Sequence, residues 1–127
     1  MAVATSTVQG PPSGLTYIID TALTKTDVLV SSSAVTLYQI KITNTGNATT
    51  AYYLQMWDAA AIANVALGTN KPDNIFYCAA ATTQTYVIPA GQLFNAGIVM
   101  AGSTDLAAVT YTPPNPGVSV TVELLIK

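Results

Sequence analysis

Residues 35–57 read VTLYQIKITN, then TGNA, then TTAYYLQMW. On the first arm Tyr38, Ile40 and Ile42 alternate with Gln39, Lys41 and Thr43. On the second arm Leu54 and Met56 alternate with Tyr53, Gln55 and Trp57. Successive strand side chains point to opposite faces, so a period of two marks a half-buried strand. Asn44-Thr45-Gly46-Asn47 between the arms supplies residues that tolerate positive φ. The spacing predicts a β-hairpin at the centre of a β-sandwich.

The flanking sequence carries the same period. At the C-terminus Val118, Val120, Val122, Leu124 and Ile126 fall on one face, with Ser119, Thr121, Glu123 and Lys127 on the other. Each large apolar side chain buried contributes about 1.5–3 kcal/mol, so this strand is expected to anchor the core. Leu15–Ile19 reads as a short strand with Leu15, Tyr17 and Ile19 on one face. Val28–Val30, Ile75–Cys78 and Thr83–Ile88 read as further strands, the last rich in β-branched and aromatic residues. Pro89-Ala90-Gly91 reads as a turn into a strand over Leu93–Met100, where Gly97 marks a bulge or a close backbone approach. Gly102-Ser103-Thr104-Asp105 reads as a turn.

Asp58–Ala63 has the make-up of a helix start with Asp58 as N-cap, too short to stand alone. Residues 58–74 are rich in turn formers and form one long excursion. Residues 1–14 read as an extended N-terminal arm, because Gly10-Pro11-Pro12-Ser13-Gly14 supports no regular element. The arm either frays or orders on a neighbouring subunit. Residues 15–127 then form one domain: all-β, a single antiparallel β-sandwich of seven or eight strands, jelly-roll or immunoglobulin-like.

Composition narrows the function. Only 8% of the residues are charged, against about 25% in an average soluble domain. There is no His and no Arg. A surface poor in charge loses little on being covered, because desolvating an unpaired charge is the costly step. This favours a protein packed against others, although a secreted Thr-rich β domain has the same composition. No apolar run approaches the roughly 20 residues that span a bilayer, so no membrane span is expected. The first fourteen residues lack the positive start and continuous apolar core of a secretory leader. Four scattered lysines make no basic patch, so nucleic acid is not an expected partner.

Reactive constellations are missing from the sequence. Without His, neither Ser-His-Asp nor Cys-His catalysis can be built, nor a zinc site on His or several Cys. The single Cys78 reads as a small apolar core residue. The six carboxylates are scattered, and no enzymatic activity, metal or cofactor is expected. Asp58, Asn70, Asp73 and Asn74 carry oxygens that suit a hard cation, but their spacing fits turns better. Tyr53 and Trp57 share a face, where they either stack on a sugar or lie under a second layer or a subunit interface.

The run LYQIKITNTGNATTAYYLQMWDAA (37–60), then VIPAGQLFNAGIVMAG (87–102) and VSVTVELLIK (118–127), resembles a group of small tailed-phage virion proteins. The Pro113-Pro114-Asn115-Pro116 segment departs from that group's pattern. The resemblance implies a capsid decoration, or cement, protein on the outer surface of the virion. It also implies assembly in the bacterial cytoplasm, binding to the major capsid protein as a homo-oligomer (often a trimer), and no catalysis. On that reading the contact residues are expected in the arm, at Val3, Thr5, Val8, Pro11 and Pro12. Others are expected on the aromatic face at Tyr53 and Trp57, and in the proline loop at Tyr111, Pro113 and Pro114. A carbohydrate-binding or host-adhesion module, and a tail or neck component, are the alternative readings.

Overall fold

A computed structural model describes residues 2–5, 15–20, 27–104 and 120–127. These form nine strands: β1 (Ala2–Thr5), β2 (Thr16–Asp20), β3 (Val28–Ser31), β4 (Val35–Thr43), β5 (Tyr52–Asp58), β6 (Asn74–Cys78), β7 (Thr83–Phe94), β8 (Ile98–Ser103) and β9 (Thr121–Ile126). Two sheets face each other, ordered β1-β2-β9-β4-β7 and β3-β8-β5-β6. Every pairing is antiparallel. The chain is an all-β sandwich, as its alternation predicts.

The two arms of 35–57 do not pair with each other. β4 lies between β9 and β7, whereas β5 lies between β8 and β6 in the opposite sheet. The expected hairpin is instead an arch that carries the chain across the core. Leu37, Ile40 and Ile42 on β4 and Leu54 and Met56 on β5 are all fully buried in one apolar cluster. Placing the arms in facing sheets lets both apolar stripes fill that cluster from opposite sides.

Asn44 turns the corner of the arch. Its side chain is 0% exposed. Its Nδ2 donates to the Thr50 carbonyl at 3.0 Å and the Ala79 carbonyl at 3.2 Å. Its Oδ1 accepts from Asn47 Nδ2 at 2.6 Å. Backbone bonds from Asn44 to Thr82 (2.9 Å) and from Ala81 to Asn47 (2.7 Å) bind this crossover to the next one, between β6 and β7. A buried amide costs little only when its hydrogen bonds are made, and here both ends of the side chain are used.

A bulge corrects the reading of β4. Leu37 pairs with Gln92 and Gln39 with Val87, so Tyr38 alone opposes Ile88–Gly91. On the other side Leu37 and Gln39 pair with the adjacent residues Ile126 and Leu125. The extra residue changes which parity faces inward, so Leu37 and Ile40 are both buried while Tyr38 is half-buried. Pro89-Ala90-Gly91 accordingly forms an irregularity inside β7 rather than a turn between strands. Gly91 has φ +75°, and a Cβ there would lie 2.8 Å from Tyr38 Cε1 and 2.5 Å from Thr36 Cγ2. Turn chemistry serves here to bend a strand.

β9 is as the sequence predicts within the described residues. Val120, Val122, Leu124 and Ile126 are buried, and the strand sits between β2 and β4; Val118 lies outside the described residues. In β2 the inward residue is Ile18, opposite Leu124, while Tyr17 pairs with Leu125. Of the expected Leu15–Tyr17–Ile19 face, Leu15 is buried, whereas Ile18 takes the inward place in β2 expected of Tyr17. The expected single strand over Leu93–Met100 is broken, because β7 ends at Phe94 and β8 begins at Ile98 in the other sheet. β8 runs on through Ser103, past the start of the turn expected at 102–105. Ala2–Thr5 pair with Thr16–Ile19 as the outer strand of the five-stranded sheet.

Candidate interaction surfaces

The outer face of the four-stranded sheet is half covered by the chain itself. Trp57 is 4% exposed and packs with Ala59, Val65, Val99 and Ala101, with Leu29 and Leu67 against them. Its Nε1 donates to the Asn70 carbonyl at 3.1 Å. The 59–73 excursion is thus a lid on Trp57, with one 3₁₀ turn at Ile62–Asn64. This removes Trp57 from any exposed aromatic platform. Gln55 on the same strand is 1% exposed, and its Nε2 finds no partner among the described residues.

Asp58 fastens the base of that lid instead of capping a helix. Its carboxylate accepts from the backbone N–H groups of Asn95 (3.0 Å), Ala96 (2.7 Å) and Gly97 (3.3 Å). The hydrogen bond from Ala96 chiefly, joined by those from Asn95 and Gly97, draws the carboxyl below its ordinary pKa against an opposing effect of burial. The Asp58 N–H in turn donates to Asp73 Oδ2 at 2.7 Å. Asn70 Oδ1 accepts from the Ala66 N–H at 2.6 Å. Both Asp58 oxygens, Asp73 Oδ2 and Asn70 Oδ1 thus accept from backbone N–H groups. No group of three or more His, Cys, Asp or Glu residues is placed to hold a metal among the described residues. Gly97 has φ +151°, and a Cβ there would lie 2.2 Å from the Ser31 carbonyl oxygen and 2.8 Å from that of Ala59. The close approach expected from sequence is met.

Tyr53 is half-buried and meets Tyr77 across β5 and β6, with ring centroids 5.3 Å apart and planes at 49°. Tyr77 is 46% exposed. Tyr77, not Trp57, is the open aromatic partner of Tyr53. Tyr77 is not singled out by the sequence, and the pairing of β5 with β6 is what joins it to Tyr53.

The outer face of the five-stranded sheet carries no covering layer among the described residues. The register places Tyr17, Leu125, Gln39 and Val87 in one row across it. The next row holds Glu123, Lys41 and Thr85, and a third holds Thr121, Thr43 and Thr83. Lys41 Nζ lies 3.6 Å from Glu123 Oε2, so the central charges neutralise each other. The Tyr17 hydroxyl also bonds Glu123, and burial with that neighbouring carboxylate pushes its pKa up to about 12. Val87 is 64% exposed and Leu93 59%, both on β7.

Of the contact residues expected from sequence, Val3 and Thr5 lie in β1, paired with Ile18 and Thr16. Val8, Pro11, Pro12, Tyr111, Pro113 and Pro114 lie outside the described residues. No family model matches this chain, and neither a curated protein nor a solved structure matches it.

Proposed function

We propose that this chain is a non-catalytic structural protein that works by covering other protein surfaces, as a capsid decoration protein of a tailed phage. One observation carries the reading: a broad sheet face, uncovered among the described residues, whose central charges, Lys41 and Glu123, are already paired with each other. Covering such a face desolvates few unpaired charges. The contact would be shared over several capsid subunits, and linkage of copies in a homo-oligomer raises the effective concentration of each further contact.

The strand order supports reading the sandwich as a jelly roll. From β2 onward each strand crosses to the opposite sheet, except for the β5–β6 pair, which is the winding of that architecture. Jelly rolls serve widely as capsid and lectin domains.

The test is co-sedimentation of the purified protein with empty phage heads assembled without it. The wild type is expected to pellet with the heads and Leu125→Lys to remain in solution. A wild type that never pellets overturns the reading, and cryo-electron microscopy of loaded particles separates shell from neck or tail. The Tyr53–Tyr77 pair, with Tyr77 exposed, favours a second reading, a glycan-binding module. Binding to a glycan array that is lost in Tyr77→Ala would establish it.

A further inference from the structure

We infer that two copies of this chain join along β7, antiparallel about a two-fold axis through Thr85, so that their five-stranded sheets become one. An unpaired strand edge is a template for another chain, and proteins guard such edges with short strands, charges, prolines or bulges. Among the described residues, three of the four sheet edges are guarded. β1 and β3 have four residues each, and on the five-residue β6 the Tyr77 carbonyl already accepts from the Tyr86 hydroxyl. β3 is also irregular between Leu29 and Ser31. β7 is different. It has twelve residues and not one charged side chain, and among the described residues its only ladder is with β4.

The guards on β7 occupy one end. Pro89 and the Ile88–Gly91 irregularity interrupt the half nearest Phe94. At the other end Ala81 has φ +57°, and Thr82 Oγ1 is tied to the Ala79 carbonyl at 2.8 Å. Between these stops Thr83–Val87 keeps unbroken register with β4. Its midpoint is Thr85.

Pairing about that midpoint is self-complementary, which favours a second copy as the partner. Antiparallel pairing about Thr85 sets Thr83 against Val87, Gln84 against Tyr86 and Thr85 against itself. β-branched and hydroxyl pairs are favourable cross-strand neighbours, and no like charges meet. An isologous contact needs a patch that complements itself, and this segment does. Val87, the most exposed large apolar residue described, gains cover from the arrangement. Such a contact closes at two copies, in place of the trimer that the phage resemblance implies.

Native mass spectrometry and sedimentation of the isolated full chain test this without any capsid, so the outcome is separate from that of head binding. The wild type is expected to be dimeric. Thr83→Lys with Val87→Lys sets lysine against lysine at both symmetric pairs and is expected to weaken the dimer about tenfold. Thr83→Lys with Val87→Glu sets opposite charges together and is expected to restore it. In oxidising buffer Thr85→Cys is expected to form a disulfide across the axis, since directly opposed Cα atoms lie about 4.5–5.5 Å apart. Cys78 is buried and does not compete. A wild type that stays monomeric at high concentration overturns the inference and leaves the edge to a strand of another protein. A dimer indifferent to both charge variants overturns it as well.

Discussion

Replacing Asp58 by alanine should loosen both the lid over Trp57 and the crossover between β7 and β8. The carboxylate holds three backbone N–H groups from a segment 37 to 39 residues away. Hydrogen bonds to a charged group contribute about 1.5–3 kcal/mol each when well formed and less when solvated. The site is partly open to water and the Gly97 bond is long at 3.3 Å, so a total near 3 kcal/mol is expected for the three. For a domain of this length that lowers Tm by about 12 °C. Urea unfolding read through Trp57, the only tryptophan, measures it directly, and the midpoint should fall with little change in slope.

The pH dependence is a second reading of the same bonds. Asp58 titrates below its ordinary value of 3.8 in the folded chain. Its contribution is therefore complete above the unfolded pKa and is lost as pH falls through the folded one. The gap between wild type and Asp58→Ala should stay constant above about pH 5 and shrink below pH 4. A difference under about 1 kcal/mol at neutral pH, or a gap unchanged down to pH 2, would refute the reasoning.

Gly97→Ala sets a Cβ 2.2 Å from a backbone oxygen, so it should cost more than about 3 kcal/mol or prevent folding, as circular dichroism would report. Asn44→Ala strands the carbonyls and the Asn47 amide that the buried side chain satisfies; a loss of about 2–4 kcal/mol in urea unfolding is expected. Gln55→Met keeps the length of the side chain and removes the unpartnered Nε2, so a gain of about 1 kcal/mol is expected, and a loss in the same assay would show the amide to be used. Tyr17→Phe should delete a phenol that titrates at about pH 12 from an ultraviolet titration. Because that pKa is raised on folding, its stabilisation is present below pH 10 and fades as pH climbs toward 12.

The sequence was legible where one face meets the core without interruption. β9 could be read from Val120, Val122, Leu124 and Ile126 because nothing shifts its period. β4 was misread by one residue because its bulge is set by β7 and β9, not by its own neighbours. The arms of 35–57 looked like a hairpin since Asn44 and Gly46 are turn residues, yet Asn44 is buried against Ala79, 35 positions on. Asp58 looked like a helix cap for the same reason: its true partners at 95–97 leave no trace in the local pattern. Trp57 shows the limit for the surface, because alternation gives its face but not the loop that closes over it.

The place of β9 has a consequence for how the molecule is made. Residues 121–126 stand between β2 and β4, so the larger sheet is in two pieces until that strand has been made and docks. A ribosome adds about 5–20 residues per second and shields the newest ones, so the nascent chain waits with its Val35–Thr43 edge open. Arrival of β9, rather than emergence of the N-terminal half, starts the closing step. A chain without β9 would be left with two unjoined ribbons and an unfilled interior.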